Sequence, residues 1–260
     1  MSGRPPARPI SQATGPAMSP GMSDKAQRLR IRFARGPEAA TIGHLDLTRT
    51  WERAFLEAGI AISYSQSARP QPRLTFAAGL AQGVTSEGEL LDVVLAQPTP
   101  AAKVAERVGP HLPPGLAVRE SWEVGIGLPS LPASVRWADY EVDVPASDAC
   151  ADVPNAVASF LEKEHFPWED TRGAKVRRYD LRPLVLELRV EPAQEGDARE
   201  SSTMRLVMRL RCESAGVGRP DQVVKALRLA EPTRIHRRRL VLAEVSPARD
   251  AWQRVGRFLE

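Results

Sequence analysis

Cysteine is nearly absent: the 260 residues hold two, Cys150 and Cys212. A thiolate-bound iron–sulfur cluster takes about three or four closely spaced cysteines, so this chain cannot build one by itself. Without an export signal, two distant thiols read as free cysteines in a reducing compartment, and the expected location is the cytoplasm. Long apolar runs are also missing. No stretch approaches the roughly 18 residues of a membrane-spanning helix. Aromatics make up 5% of the chain, and no strand carries the paired rings on which RRM-type sheets stack bases. The four histidines, His44, His111, His165 and His236, are scattered. Neither HxxxH nor CxxC spacing occurs, so no metal site is expected. P-loop, Rossmann and G-x-S-x-G signatures are absent too, and no cofactor is expected.

Proline is not scarce, and five of the 23 stand in the first 26 residues, among serine, glycine and alanine. Such a segment buries too little surface to offset its ordering entropy, so residues 1–26 read as a disordered leader. Met18 and Met22 are alternative starts to Met1. Residues 246–260 read as a tail. The net charge of +4 is unevenly spread. Ser134–Asp170 carries nine acids against Arg136 and Lys163, whereas Thr171–Val245 carries 17 basic and 10 acidic residues.

Periodicity outlines two similar halves. Gln27–Ala34 alternates strictly, with Leu29, Ile31 and Phe33 opposite Arg28, Arg30 and Arg32, which marks a half-buried strand. Leu47, Trp51, Ala54, Phe55 and Ala58 form a helical stripe over Leu45–Ala58, stopped by Gly59. Strands are expected near Ala61–Ser65, Arg73–Ala77 and Glu89–Ala96, a helix near Pro100–Leu112 and a strand near Leu116–Val124. After the Gly/Pro-rich Gly125–Pro132 the order restarts: strand Val135–Val144, helix Val153–Glu164, strand Lys175–Val190, the acidic loop Glu191–Ser202, strand Thr203–Cys212, helix Pro220–Leu229 and strand Arg234–Ala243. The expected fold class is α+β: two tandem ferredoxin-like (βαββαβ) units with antiparallel sheets, spanning 27–131 and 132–245.

The most specific segments are Gly43-His44-Leu45-Asp46-Leu47-Thr48-Arg49, then Arg53-Ala54, Tyr64-Ser65-Gln66 and Pro70-Gln71-Pro72-Arg73-Leu74-Thr75-Phe76-Ala77. Leu80-Ala81-Gln82-Gly83-Val84-Thr85-Ser86-Glu87 and Tyr179-Asp180-Leu181-Arg182-Pro183 follow. Together, over about Gln27 to Val245, they resemble the radical-SAM-linked domain of unknown function, a small domain fused to or encoded beside radical-SAM proteins. The chain departs from that pattern at Gly43, usually serine, and at Ser67-Ala68-Arg69-Pro70, usually G-F-N-P. The resemblance implies a radical-SAM protein as partner in trans.

Candidate site residues follow from charge and position. His44, at a helix start whose N–H groups favour an anion, would join Asp46, Arg49, Arg53, Tyr64, Ser65 and Arg73 around a phosphate or carboxylate. Arg28, Arg30 and Arg32 on one strand, Arg205, Arg209 and Arg211 on another, and Arg237 and Arg238 on the last would present guanidinium rows to an RNA backbone. The expected function is a non-catalytic accessory module that holds RNA (tRNA or rRNA) or another anion for a radical-SAM enzyme. One alternative is a metal-independent endoribonuclease using His44, because tandem ferredoxin-like halves resemble the CRISPR-type RAMP nucleases in architecture. The other is a protein-interaction adaptor docking through the acidic Ser134–Asp170 stretch.

Overall fold

The computed structural model describes residues 27–145, 153–173, 175–191 and 203–243. The leader 1–26, the tail 246–260, Cys150 and most of the acidic loop lie outside them. The first half runs β1 (Gln27–Arg35), α1 (His44–Glu57), β2 (Leu74–Phe76), β3 (Thr85–Leu95), α2 (Ala101–Val108) and β4 (Leu116–Glu123). After a single turn, α3 (Leu131–Ser134), come β5 (Val135–Pro145), α4 (Val153–Leu161), β6 (Pro167–Arg172), β7 (Lys175–Asp180), β8 (Val185–Glu191), β9 (Thr203–Glu213), β10 (Gly216–Val217), α5 (Pro220–Ala226) and β11 (Arg234–Leu242). This is a mixed α/β architecture dominated by sheet.

Nine of the strands share one sheet, ordered β10-β9-β5-β11-β3-β1-β4, with β2 on β3 and β8 on β9. The pairings within each half are antiparallel. The two separate sheets expected from sequence are therefore joined. The seam is a short parallel pairing of His236 and Arg237 on β11 with Thr85 and Ser86 on β3. Gly88 makes it possible: a Cβ there would run into the Arg238 carbonyl oxygen, so only a bare backbone can approach so closely. Across the seam Ser86 Oγ donates to the Arg237 carbonyl at 2.7 Å, and the buried Arg237 pairs with the buried Glu89. Burial opposes the Arg237 charge, but Glu89 more than offsets it and holds the guanidinium protonated.

Each half has its own apolar core. In the first, Leu47, Trp51 and Phe55 of α1 and Val104 and Val108 of α2 cover Leu29, Ile31, Phe33, Leu91 and Val93. Phe33 meets Trp51 edge to face at 5.0 Å. The helix ends at Ala58, where Gly59 takes φ +64, a conformation that favours glycine. In the second half α4 and α5 bring Val157, Phe160, Val223 and Val224 onto Val142, Leu206, Met208 and Leu210.

Two differences from the sequence reading have local causes. Ala61–Ser65 forms no strand and makes only the isolated bridges Ile62–Leu95 and Tyr64–Pro72. The expected strand Lys175–Val190 is broken in two. Asp180 Oδ1 accepts from the Phe166 and Arg182 amides, and a 3₁₀ turn at Arg182–Leu184 starts β8. That bend frees β7 to pair with β6 as a separate hairpin. No helix among the described residues is long and apolar enough to cross a membrane.

Candidate anion-binding groove

The structure places His44 at the first position of α1, exposed, with its ring edge-on to Phe76 at 5.4 Å. It borders a cavity of about 50 Å³ with Phe33, Arg35, Phe76 and Glu89. No hydrogen bond or ion pair joins its ring to another described residue. Gly43 caps the helix through its extended backbone, and Asp46 makes no cap bond but meets Arg49 at 3.3 Å in the open. Arg53 lies 3.9 Å from Glu57.

Tyr64, Ser65 and Arg73 form a separate local group that does not line the His44 cavity. Tyr64 donates to Glu52 at 2.8 Å, Ser65 Oγ accepts from the Gln71 amide, and Arg73 Nε donates to the Tyr64 carbonyl. Partial burial and the Glu52 carboxylate push the Tyr64 phenol up to about 12. The one pocket expected from the motif is thus two clusters.

The arginine rows divide by burial. Arg28 and Arg30 are 8% and 7% exposed and converge on Asp92, itself 3% exposed. Arg28 also donates to the carbonyls of Leu128 and Pro129, in the connection between the halves. Arg237 is buried in the seam. These three guanidiniums do not face solvent, which corrects their expected place on an open basic face. Arg32 does reach that face, 2.8 Å from Glu120. Arg205 bonds Asp143 at 2.8 Å, Arg209 bonds both Asp139 and Glu187, and Arg211 lies over the Trp137 ring at 5.5 Å. Arg238 bridges Glu87 and Glu141 across the seam, and Arg239 bonds Asp139.

The open faces of the two halves meet in a groove of about 770 Å³. Arg32, Arg119, Arg189, Arg209, Arg238 and Arg239 line it, with Glu87, Asp139 and Glu187, while Glu120, Glu141 and Glu191 beside it pair with Arg32, Arg238 and Arg189. Two strand irregularities put arginines there. The β1–β4 register slips so that Arg32 opposes Glu120 while Phe33 opposes Val118, leaving Arg119 without a partner. The β5–β11 register slips likewise around Arg238. An extra residue bends the strand and re-aims its side chain, so Arg238 and Arg239 both bond carboxylates of the open face although they are neighbours in sequence. Burial raises the Asp139 carboxyl, but bonds from Arg209 and Arg239 outweigh it and hold it below the usual carboxylate range.

A second concavity, about 1000 Å³, shares Glu87 and Arg119 with the first and is lined by Thr41, Thr85, Ser86, Arg234 and His236 among others. His236 Nδ1 meets Thr85 Oγ1 at 2.8 Å. Burial, then the nearby Arg234 charge, push the imidazole below its ordinary value, so it is neutral near pH 7. From sequence His236 reads as a solvated strand end, with phosphate binding beside the Arg234–Arg239 run as the alternative; Arg119 and Arg189 are lining residues that sequence reasoning missed. Among the described residues no cluster of His, Cys, Asp and Glu could hold a metal ion. What the groove offers is directed N–H donors and positive charge.

The profile of the family described as "Uncharacterized protein conserved in bacteria (DUF2344)" matches residues 28–220. The chain belongs to this family. The match takes in both motif clusters on and after α1 and the Arg205–Arg211 strand, and it ends before β11, which supplies His236, Arg238 and Arg239. Among curated proteins, none matches the chain.

Proposed function

We propose that this DUF2344 member is a non-catalytic accessory module that works with a radical-SAM enzyme and holds RNA on the open face of its sheet. The observation that carries the reading is the groove itself, in which six arginines face three carboxylates across the meeting of the two halves. A phosphate backbone running along it would meet forked N–H donors matched to its oxygens. The partnership rests on the motif around Gly43–Arg49 and its resemblance to the radical-SAM-linked domain. Each half is read as a ferredoxin-like unit. In support, β4-β1-β3-β2 and β11-β5-β9-β8 follow the same order when each half's strands are counted from its start, with β6, β7 and the two-residue β10 as insertions.

Because most of these guanidiniums already hold carboxylates, only the surplus is available to displace counterions. The expected salt slope is shallow, near that of about one phosphate contact on a single strand. Fluorescence anisotropy with labelled tRNA across a salt series tests this. Affinity that falls as salt rises is expected. Absence of binding at low salt, or binding indifferent to salt, would sink the RNA reading. Co-purification from the native cell tests the radical-SAM partnership independently.

A further inference from the structure

The geometry points to a second ligand site, the seam concavity, which takes the phosphate monoester of a single nucleotide. This deepens the RNA reading and rests on it for the class of ligand. The carrying observation is Arg119. Arg32, Arg209, Arg238, Arg239 and Arg234 each sit within 4 Å of a carboxylate. The Arg119 side chain makes no ion pair or hydrogen bond with any described residue. It is exposed, is the unpaired residue of a β-bulge, and borders both concavities. An arginine that a bulge aims at a concavity and leaves without a counter-charge offers all its N–H donors to an incoming anion.

The remaining walls suit the rest of a nucleotide. Ala34, Pro37, Ala40 and Ile235 supply apolar surface for a flat base. Thr41 and Thr203 supply hydroxyls for a sugar. The concavity, about 1000 Å³, lies at the upper end of the range for small-ligand pockets. His236 completes the site as a neutral imidazole whose Nδ1 is committed to Thr85. The charges around it are Arg234 and Arg238 on its own strand, Glu87 on β3 and Glu141 on β5, with Arg119 of β4 across the concavity. A dianionic phosphate here would favour the imidazolium, so binding should draw a proton onto His236. Arg119 and His236 are assigned to binding, with no bond made or broken.

Calorimetric titration of the full chain with adenosine monophosphate, uridine monophosphate, ribose 5-phosphate, inorganic phosphate and adenosine tests the site. The nucleoside monophosphates should bind at least about tenfold more tightly than inorganic phosphate, and adenosine should not bind detectably. Arg119→Ala should weaken the nucleotide about 10- to 100-fold, the range for a charge-assisted hydrogen bond. Since Arg119 has no side-chain partner to lose among the described residues, urea unfolding should be unchanged. In histidine NMR the His236 titration should move to higher pH when nucleotide is added, and Arg119→Ala should abolish that movement. Adenosine binding as tightly as its monophosphate, Arg119→Ala binding as wild type does, or no nucleotide binding at millimolar concentration would each overturn the site. The tRNA titration separates the two readings. If tRNA binds with the expected salt dependence while mononucleotides do not, this inference alone fails. Mononucleotide binding without tRNA binding removes the extended strand and leaves the site standing.

Discussion

Arg28 and Arg30 on β1 and Arg205 and Arg209 on β9 are written in the same alternating pattern, yet the two halves treat them differently. On β1 both guanidiniums share one carboxylate, Asp92, and the connection between the halves folds over them, its Leu128 and Pro129 carbonyls accepting from Arg28. On β9 the guanidiniums remain part-exposed, and their carboxylates, Asp143 and Asp139, stand one strand away on β5. Charge at every second strand position reports only which face turns away from the helices. Whether that face meets water depends on what the chain later lays across it.

The sharpest way to break this contrast is to remove one carboxylate from each half. Asp92→Ala leaves two buried guanidiniums without a counter-charge and should cost about 3–5 kcal/mol. Asp139→Ala also takes a carboxylate from two arginines, but Arg209 keeps Glu187 and Arg239 is exposed to water, so the loss should be about 1 kcal/mol or less. Urea unfolding measures both. Equal losses would mean that the covered and open faces are energetically alike. Next in size is Gly88→Ala at the seam. Its Cβ would meet the Arg238 backbone, which cannot swing aside as a side chain would, so a loss of about 1–3 kcal/mol is expected. An unchanged midpoint would show that the halves do not need the β3–β11 approach.

These two sites also mark where the sequence stops being legible. The core faces of β1 and α1 follow from periods of two and 3.6, because burial of Leu29, Ile31, Trp51 and Phe55 imposes them directly, whereas β6 and the break between β7 and β8 do not. The seam follows no period. A glycine in a strand such as Gly88 signals a close approach without naming what approaches. Nor does alternation survive a bulge: Arg237, Arg238 and Arg239 read as one basic run, whereas the structure buries the first in the seam and brings the other two to the carboxylates of the open face. The motif around His44 was legible as a helix start, but the distance between it and the Tyr64–Arg73 group belongs to the tertiary fold. Arg119 was invisible for the same reason, since its side chain is aimed by a register slip against β1.

Acid should separate the seam from the open face. His236 is neutral in the folded chain, with its value lowered from the ordinary one. Its contribution is therefore complete above about 6.5 and is lost as pH falls through that value towards the lower folded one. Asp139 and Asp143 are also lowered: burial acts against them, and bonds to Arg209 and Arg239, and to Arg205 and Arg234, prevail. Their stabilisation is present above about 3.9 and disappears as pH drops below it. Unfolding midpoints against pH should fall in two stages, and His236→Gln should remove only the first. A single stage in the wild-type chain would take His236 out of the seam's stability.

The smallest structural change carries the most functional information. Asp139→Asn keeps the shape of the side chain and removes the charge that holds both Arg209 and Arg239. Its stability cost should be under about 1 kcal/mol, since the amide oxygen still accepts a hydrogen bond and the site is part-exposed. The groove, however, gains a net positive charge, and Arg239 becomes free to turn towards an anion while Arg209 keeps Glu187. If the open face holds RNA, affinity should rise several-fold and the salt dependence should steepen by about one phosphate contact. The covered half offers no such gain: Asp92→Asn leaves its arginines under the connection, where RNA cannot reach them, so it should lose stability without tightening binding. Equal tightening in both variants would reduce the effect to net charge, and tightening in neither would remove phosphate from the groove.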